Sequence, residues 1–312
     1  MKIFKTLNIS NKYKNSALAI GNFDGLHRGH QKVFKETKIF AKKNKTKFGV
    51  LTFTPMPVMF FNKKIKNHRL TSEEEKLNLF QRYGVDFVIN VKFNKKFSRI
   101  SAEDFIKKII YKKINPKLFS VSNNFRFGKN RKGDVNLVKK FSLKYGYKLL
   151  NIKPFKFLGK ITSSSRIREN LKNGNITLAN KLLSRTWFVD GTVIKGKKIG
   201  RKLGYRTCNI NIKNYLLPKK GIYSVKILIN NNKKIHGGVA YLGFRPTFSG
   251  NQIFLEVNIF GTAKNLYKKK LSVFFLRFIR GDKKFKNSKE LIKQMNKDVL
   301  IAKKSLKAKI VL

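Results

Sequence analysis

Residues 17–43 read ALAIGNFDGLHRGHQKVFKETKIFAKK. A short apolar run, Ala17–Ile20, stops on Gly21. The loop Asn22-Phe23-Asp24-Gly25-Leu26-His27-Arg28-Gly29-His30 then hands the chain to an amphipathic helical stretch. A buried strand that turns on glycine into a helix start is the repeating step of an alternating α/β fold. Working outward, FGVLTFTP (48–55) is a second strand candidate and residues 72–83 a capped helix. DFVINV (86–91), a helix over 101–112, LFSVS (118–122) and a helix near 134–144 follow. This alternation predicts an α/β domain with a doubly wound parallel sheet. Such sheets bind ligands outside the carboxyl ends of their strands, so the loops at 21–30, 54–61 and 122–133 are where function is sought.

After about residue 184 the texture changes. WFVDGTVIKG, GIYSVKILIN, KKIHGGVAYLG, IFLEVNIF and KLSVFFLRFIR are strand-like, with Gly-, Asn- and Lys-bearing turns between them. A strong helix signal returns only at 288–306. The pattern predicts an antiparallel barrel or sandwich closed by a C-terminal helix. A short helical region at about 165–182 precedes a boundary near Leu183–Thr186, which divides the chain into 1–184 and 185–312.

The 312 residues suffice for two domains with their own cores. At 41% apolar and 12% aromatic, the chain is too hydrophobic for a disordered polycation. One cysteine excludes a disulfide framework and a multi-cysteine metal site, and fits a reducing compartment. The opening MKIFKTLNISNKYKNS has no apolar signal core, and no run approaches a membrane span, so the expectation is a soluble cytoplasmic protein without a membrane partner. The formal charge of +57 suggests nucleic acid. Against that, lysines outnumber arginines 58 to 14, whereas fork-type phosphate readers favour arginine. The excess is also even: residues 1–184 carry 42 basic and 10 acidic side chains, residues 185–312 carry 30 and 5. It reads as a compositional bias, with no dedicated nucleic-acid surface.

Fifteen acids among so many lysines make each acid informative. Glu73, Glu74 and Glu75 follow Thr71-Ser72, Glu103 and Asp104 follow Ser101, and Glu290 follows Asn287-Ser288. Each group suits a helix first turn, where carboxylates answer exposed N–H groups. Asp24, Asp134 and Glu256 lie instead in segments that read as chemical.

His27-x-Gly29-His30 follows a strand and opens a helix. Glycine lets a backbone approach a ligand, and a helix N-terminus offers unpaired N–H groups to an anion. Two imidazoles one turn apart can donate to phosphate oxygens as charge builds. The full string GNFDGLHRGH is far more specific than HxGH alone.

GNFDGLHRGHQKV resembles the nucleotide-binding motif of bacterial bifunctional riboflavin kinase/FAD synthetases. LTFTPMP (51–57), VSNNFRFGKNRKGD (121–134) and ITSSSRIR (161–168) resemble further segments of the same module, TFxPxP, VGxxFxFGxxRxGD and ISSTxIR. The resemblance implies FMN adenylyltransfer over residues 1–184: the FMN phosphate attacks the α-phosphorus of ATP and pyrophosphate leaves. That chemistry needs positioning and charge neutralisation rather than a protein nucleophile. By motif position, His27 and His30 stabilise phosphates, and Gly21, Phe23, Asp24, Gly29, Ser163, Ser164 and Arg166 surround ATP and its phosphates. Asp24 orders the loop, and Asn124 and Arg126 belong to a flavin and ATP loop. Met56 departs from the family by standing where His is frequent between the two prolines. Ser122 replaces a usual Gly.

GKKIGRKLGYRTCN (196–209) resembles the riboflavin kinase segment GxxxGRxLGFPTAN, and GGVAYLGFRPTF (237–248) and FLEVNIF (254–260) continue the match. This implies a riboflavin kinase barrel over 185–312, with Gly196, Gly200, Gly204, Thr207 and Asn209 around ATP. Thr207 and Asn209 supply neutral oxygens suited to Mg²⁺. Glu256 by alternation alone fits a solvated strand face; the resemblance makes it the base for the riboflavin 5′-hydroxyl. Arg206 stands where the family has the proline that pre-sets this loop, and Asn258 where it has His. Cys208 replaces a small Ala and reads as packing. The implied substrates are riboflavin, FMN and ATP, with Mg²⁺ accompanying ATP.

Three rivals remain beside this reading. One keeps the fold with a single competent site, the first impaired at Met56 or the second at Arg206. Another is a basic nucleic-acid-binding protein on this scaffold, which predicts steeply salt-dependent binding. A nucleotidyltransferase for another phosphorylated substrate is disfavoured by the kinase segment on the same chain.

Overall fold

The computed structural model describes residues 1–65, 68–195, 204–212, 215–230, 232, 234–247, 250–262, 265–307 and 310–311. By internal contacts the chain forms two compact units, Met1–Lys66 with Glu73–Ser163, and Asn67–Ser72 with Ser164–Leu312. The helical region before residue 184 therefore groups with the second unit.

In the first unit, strands β1 (Lys2–Phe4), β2 (Ala17–Ile20), β3 (Phe48–Thr54), β4 (Phe87–Lys92), β5 (Leu118–Ser122) and β6 (Lys148–Ile152) form one sheet in the order β1-β4-β3-β2-β5-β6. Every pairing is parallel. Helices α1 (Arg28–Lys43), α2 (Pro57–Phe61), α3 (Glu73–Arg82), α4 (Lys95–Ser98), α5 (Ala102–Asp104) and α6 (Val135–Tyr145) lie between them. A π-helical segment, Phe105–Ile114, continues α5 and ends at Asn115 in the left-handed region. β2 is buried throughout, and its alternation separates two cores. Leu18 and Ile20 join Phe119, Ile106 and Ile110 on one face. Ala17 and Ala19 join Val33 and Phe34 of α1 and Phe80 of α3 on the other. Each fully buried Phe contributes about 2–3 kcal/mol by transfer. A small hairpin, β7 (Lys156–Phe157) with β8 (Lys160–Ile161), follows the sheet.

This sheet reverses its winding between β2 and β5. Neighbours β3 and β4 extend one way from β2, and β5 and β6 the other. The crevice of a doubly wound sheet lies at such a switch point, at the strands' carboxyl ends.

In the second unit, β9 (Phe188–Ile194), β10 (Cys208–Ile210), β11 (Gly221–Ile229), β12 (Ile235–Thr247), β13 (Gly250–Ile259) and β14 (Lys270–Arg280) close a barrel in the order β10-β13-β12-β11-β14-β9. The open choice between barrel and sandwich is thus settled as a closed antiparallel barrel. Val225, Ala240, Leu255 and Val257 fill its interior, all fully buried. Helices α7 (Ser164–Lys172) and α8 (Ile176–Leu183) precede the barrel, and α9 (Ser288–Ser305) follows it. Asn287 caps α9 by accepting from the Glu290 N–H at 2.9 Å. Asp298 of α9 receives the Arg280 guanidinium fork at 2.7–3.1 Å, which ties the helix to the end of β14. Trp187 is fully buried, and its indole N–H donates to the Leu70 carbonyl at 2.8 Å.

Candidate active sites

The first site grows from the turn after β2. Phe23, Gly25 and Leu26 all have positive φ, +48°, +79° and +35°. For Phe and Leu that backbone is strained, and strain of this kind collects where surrounding structure fixes a functional shape. The Leu26 N–H donates to the Phe23 carbonyl at 3.1 Å, and Gln31 reaches back to the Leu26 carbonyl at 2.8 Å.

His27 is the N-cap of α1, its Nδ1 accepting from the His30 N–H at 3.4 Å. With Nδ1 accepting, the ring proton of neutral His27 sits on Nε2. The two imidazoles stack with centroids 3.7 Å apart and planes 20° apart, and Phe23 meets His30 edge-on at 5.2 Å. The glycines make room for these rings: a Cβ on Gly21 would lie 3.1 Å from the Phe23 ring, and one on Gly29 3.1 Å from the His27 ring and 3.4 Å from the Thr162 carbonyl. Asp24 is buried within the same turn. Arg28 lies over the Phe157 ring at 5.1 Å, so the hairpin β7–β8 borders this loop.

The loop after β5 is closed by a two-way backbone pair between Phe127 and Gly133. Asn124 accepts from the Ser122 hydroxyl at 2.9 Å, so the serine that departs from the family's glycine holds this side chain. Arg126 pairs with Asp134 at 3.2 Å. Asp134 also caps α6, accepting from the Leu137 N–H at 3.0 Å. The chemical reading of Asp134 therefore needs correction: its carboxylate closes a loop and starts a helix. Met56 caps α2 with its backbone, and its side chain is buried. Ser163 ends the first unit, whereas Ser164 and Arg166 occupy the first turn of α7 in the second.

The second site lies on the outer face of the barrel. Leu255 and Val257 point into the core, so Glu256 between them points outward, half-buried. Antiparallel register places Glu256 opposite Asn209 of β10 on one side and opposite Tyr241 of β12 on the other. Asn209 is buried, and its Oδ1 has no hydrogen-bond partner among the described residues. A buried carbonyl-type oxygen without a donor is costly unless something else occupies it, and a hard cation is a suitable occupant. Among the described residues, no cluster of three His, Cys, Asp or Glu side chains could hold a metal. A cation here would rest on neutral oxygens and substrate phosphates.

Thr207 is half-buried two residues before Asn209. Gly204 has φ +81°, and a Cβ there would meet open space, so glycine supplies backbone freedom rather than room. Gly196 and Gly200 lie outside the described residues. Burial first, and the Asp298 carboxylate second, raise the Tyr205 phenol above its ordinary value. It remains a donor, to Asn296 Oδ1 of α9. Burial pushes the Cys208 thiol up to about 11, which removes it as a nucleophile at neutral pH. A cavity of about 520 Å³ opens elsewhere in this unit, among Lys172, Leu217, Lys220, Leu242 and Ile253, and neither Asn209 nor Glu256 lines it.

The sequence did not single out Tyr241, which stands opposite Glu256. Period-2 alternation around Glu256 does place Asn258 on its face, but β12 and β10 join that face only through register.

The FAD synthetase family model matches residues 9–166, and the riboflavin kinase model matches residues 183–306. A bifunctional riboflavin kinase/FMN adenylyltransferase of Buchnera aphidicola from Schizaphis graminum is 39% identical over 97% of this chain and 98% of its own length. The protein of that description from Escherichia coli K12 is 34% identical over 92% of this chain and 91% of its own. A solved structure described as a macrolide-efflux protein from Streptococcus pneumoniae superposes with a TM-score of 0.86 at 26% identity, covering 96% of this chain and 98% of that one. Among the described residues, no helix is long and apolar enough to cross a membrane.

Proposed function

This chain belongs to the family of bifunctional riboflavin kinase/FMN adenylyltransferases, and from that premise we propose how its two sites divide the work. It phosphorylates riboflavin to FMN and adenylylates FMN to FAD, with ATP as co-substrate of both steps. The reading is carried by one observation: the two family models fall end to end on the chain, each over its own candidate site. We assign adenylylation to 1–184 and phosphorylation to 185–312.

In the kinase step, Glu256 accepts the proton of the riboflavin 5′-hydroxyl as that oxygen bonds to the γ-phosphorus and ADP leaves. Asn209 Oδ1 and the Thr207 hydroxyl would hold Mg²⁺, which when bound neutralises charge on the triphosphate. Tyr241 stands opposite Glu256 on β12. In the adenylyl step, the FMN phosphate oxygen bonds to the α-phosphorus of ATP and pyrophosphate leaves. His27 Nε2–H and His30 donate to phosphate oxygens as charge moves onto the leaving group. The N–H groups of the α1 first turn add to the same field. Gly21, Phe23, Asp24 and Gly29 hold that loop's shape. Ser163, Ser164 and Arg166 bind the triphosphate, and Asn124 and Arg126 serve the flavin and ATP loop.

The test is product analysis on the purified chain, incubated with MgATP and either riboflavin or FMN. FMN from riboflavin and FAD from FMN are expected. Absence of FAD from FMN overturns the first assignment, and absence of FMN from riboflavin the second.

A further inference from the structure

The segment that enters β10 has little ladder of its own. It is fastened instead by contacts at three positions. The Tyr205 hydroxyl donates to Asn296 on α9, the Arg206 carbonyl accepts from Asn258 Nδ2 at 2.8 Å, and the Cys208 thiol donates to the Val257 carbonyl at 3.4 Å. The middle contact stands apart. Asn258 lies two residues beyond Glu256 on β13, so both side chains leave the same outer face. Its partner carbonyl directly precedes Thr207 and lies three residues before Asn209. The acceptor is a backbone oxygen, which fixes the assignment of the amide: Nδ2 must face it.

Two departures from the kinase segment thus meet each other in space. Position 206 carries Arg where the family segment has Pro, so no ring restrains φ there. Position 258 carries Asn where that segment has His, and its amide closes on the carbonyl of residue 206.

We propose that Asn258 is a positioning residue of the kinase site, holding the Arg206 carbonyl so that Thr207 and Asn209 are presented beside Glu256. The Asn258 hydrogen bond does from outside what a proline ring does from within. It restricts the entry to β10 and lowers the ordering left for nucleotide binding to impose. The proposal rests on the kinase reading of this site. It adds a residue that touches neither the riboflavin hydroxyl nor the phosphates, and it makes residues 206 and 258 a coupled pair.

The test uses the full chain, with Asn258→Ala and the isosteric Asn258→Asp, which replaces the donor by oxygens facing the carbonyl. Each is made alone and combined with Arg206→Pro. One hydrogen bond of this kind biases a loop by about five- to tenfold. The KM for MgATP in riboflavin phosphorylation should rise about tenfold in Asn258→Ala. Turnover at saturation should stay within about twofold. Backbone hydrogen exchange over residues 204–210 should quicken, FAD formation from FMN should be unchanged, and Arg206→Pro should restore both KM and exchange. Parental KM and exchange in Asn258→Asp overturn the proposal, as does a loss that Arg206→Pro does not recover. A parent chain that makes no FMN overturns the function reading instead, and the exchange comparison still decides the tether.

Discussion

The loop that carries His27 and His30 and the strand that carries Glu256 hold their polar groups by different local physics. In the first, a turn with three positive φ values is packed against rings, and the imidazoles lie in a stack that caps a helix. In the second, the carboxylate rides on an antiparallel ladder, and its neighbours Asn209 and Tyr241 are set by register. The difference suits the step proposed for each region. Adenylyl transfer from ATP needs donors and a helix terminus aimed at a polyphosphate, which a strained loop can supply. Proton removal from a hydroxyl needs one group placed to hydrogen-bond accuracy, which a ladder supplies better.

The largest expected effect tests the ladder. Glu256→Gln keeps the shape and removes the proposed base, so FMN formation from riboflavin should fall about 10³-fold. FAD formation from supplied FMN should be unchanged, and parallel assays with the two flavins read both. Next, His30→Ala removes one ring of the stack, and FAD formation should fall about 10²-fold while riboflavin phosphorylation stays at the parental rate. If either substitution lowers both activities alike, the two regions are not independent and the comparison breaks. A milder probe is Gly29→Ala. Its Cβ would press on the His27 ring at 3.1 Å, so a displacement of a few tenths of an ångström follows. FAD formation should drop about tenfold, with the melting temperature little changed, because the ring moves and the core does not.

How far these regions were legible in sequence follows from the same physics. β2 through β5 declare themselves because central strands of a parallel sheet are buried on both faces and read as continuous apolar runs. β1 and β6 are the sheet edges, mostly exposed or half-buried, and no such run marks them. β10 is three residues inside a segment whose glycines and lysines read as a loop. Its strand character comes from pairing with β9 and β13. The residue types at the first site were legible from one contiguous string. Spacing could place His27 and His30 on one side of a helix, but not make His27 the cap. Glu256 was legible as an isolated acid and Asn209 through the kinase segment, whereas the register that sets Asn209 and Tyr241 on either side of Glu256 joins distant strands. Asp134 misled because capping and ion pairing draw on the same residue type as catalysis.

The smallest effect concerns Cys208, which sits on β10 next to Asn209 and opposite Val257. Burial raises its pKa to about 11, and its proton is directed at the Val257 carbonyl. The thiolate is the species that an alkylating agent attacks, and its fraction falls tenfold for each pH unit below the pKa. At pH 7 about one molecule in 10⁴ carries it, against a few in a hundred for an unperturbed thiol. Iodoacetamide at pH 7 should therefore leave both activities intact, and labelling followed by mass should be slow. Its rate should rise about tenfold per unit from pH 7 toward 10. Where label does attach, the β10–β13 ladder has opened, so riboflavin phosphorylation should be lost in step with the mass shift while FAD formation persists. Rapid labelling at pH 7 with retained kinase activity would show that the ladder is not what holds Asn209 to Glu256.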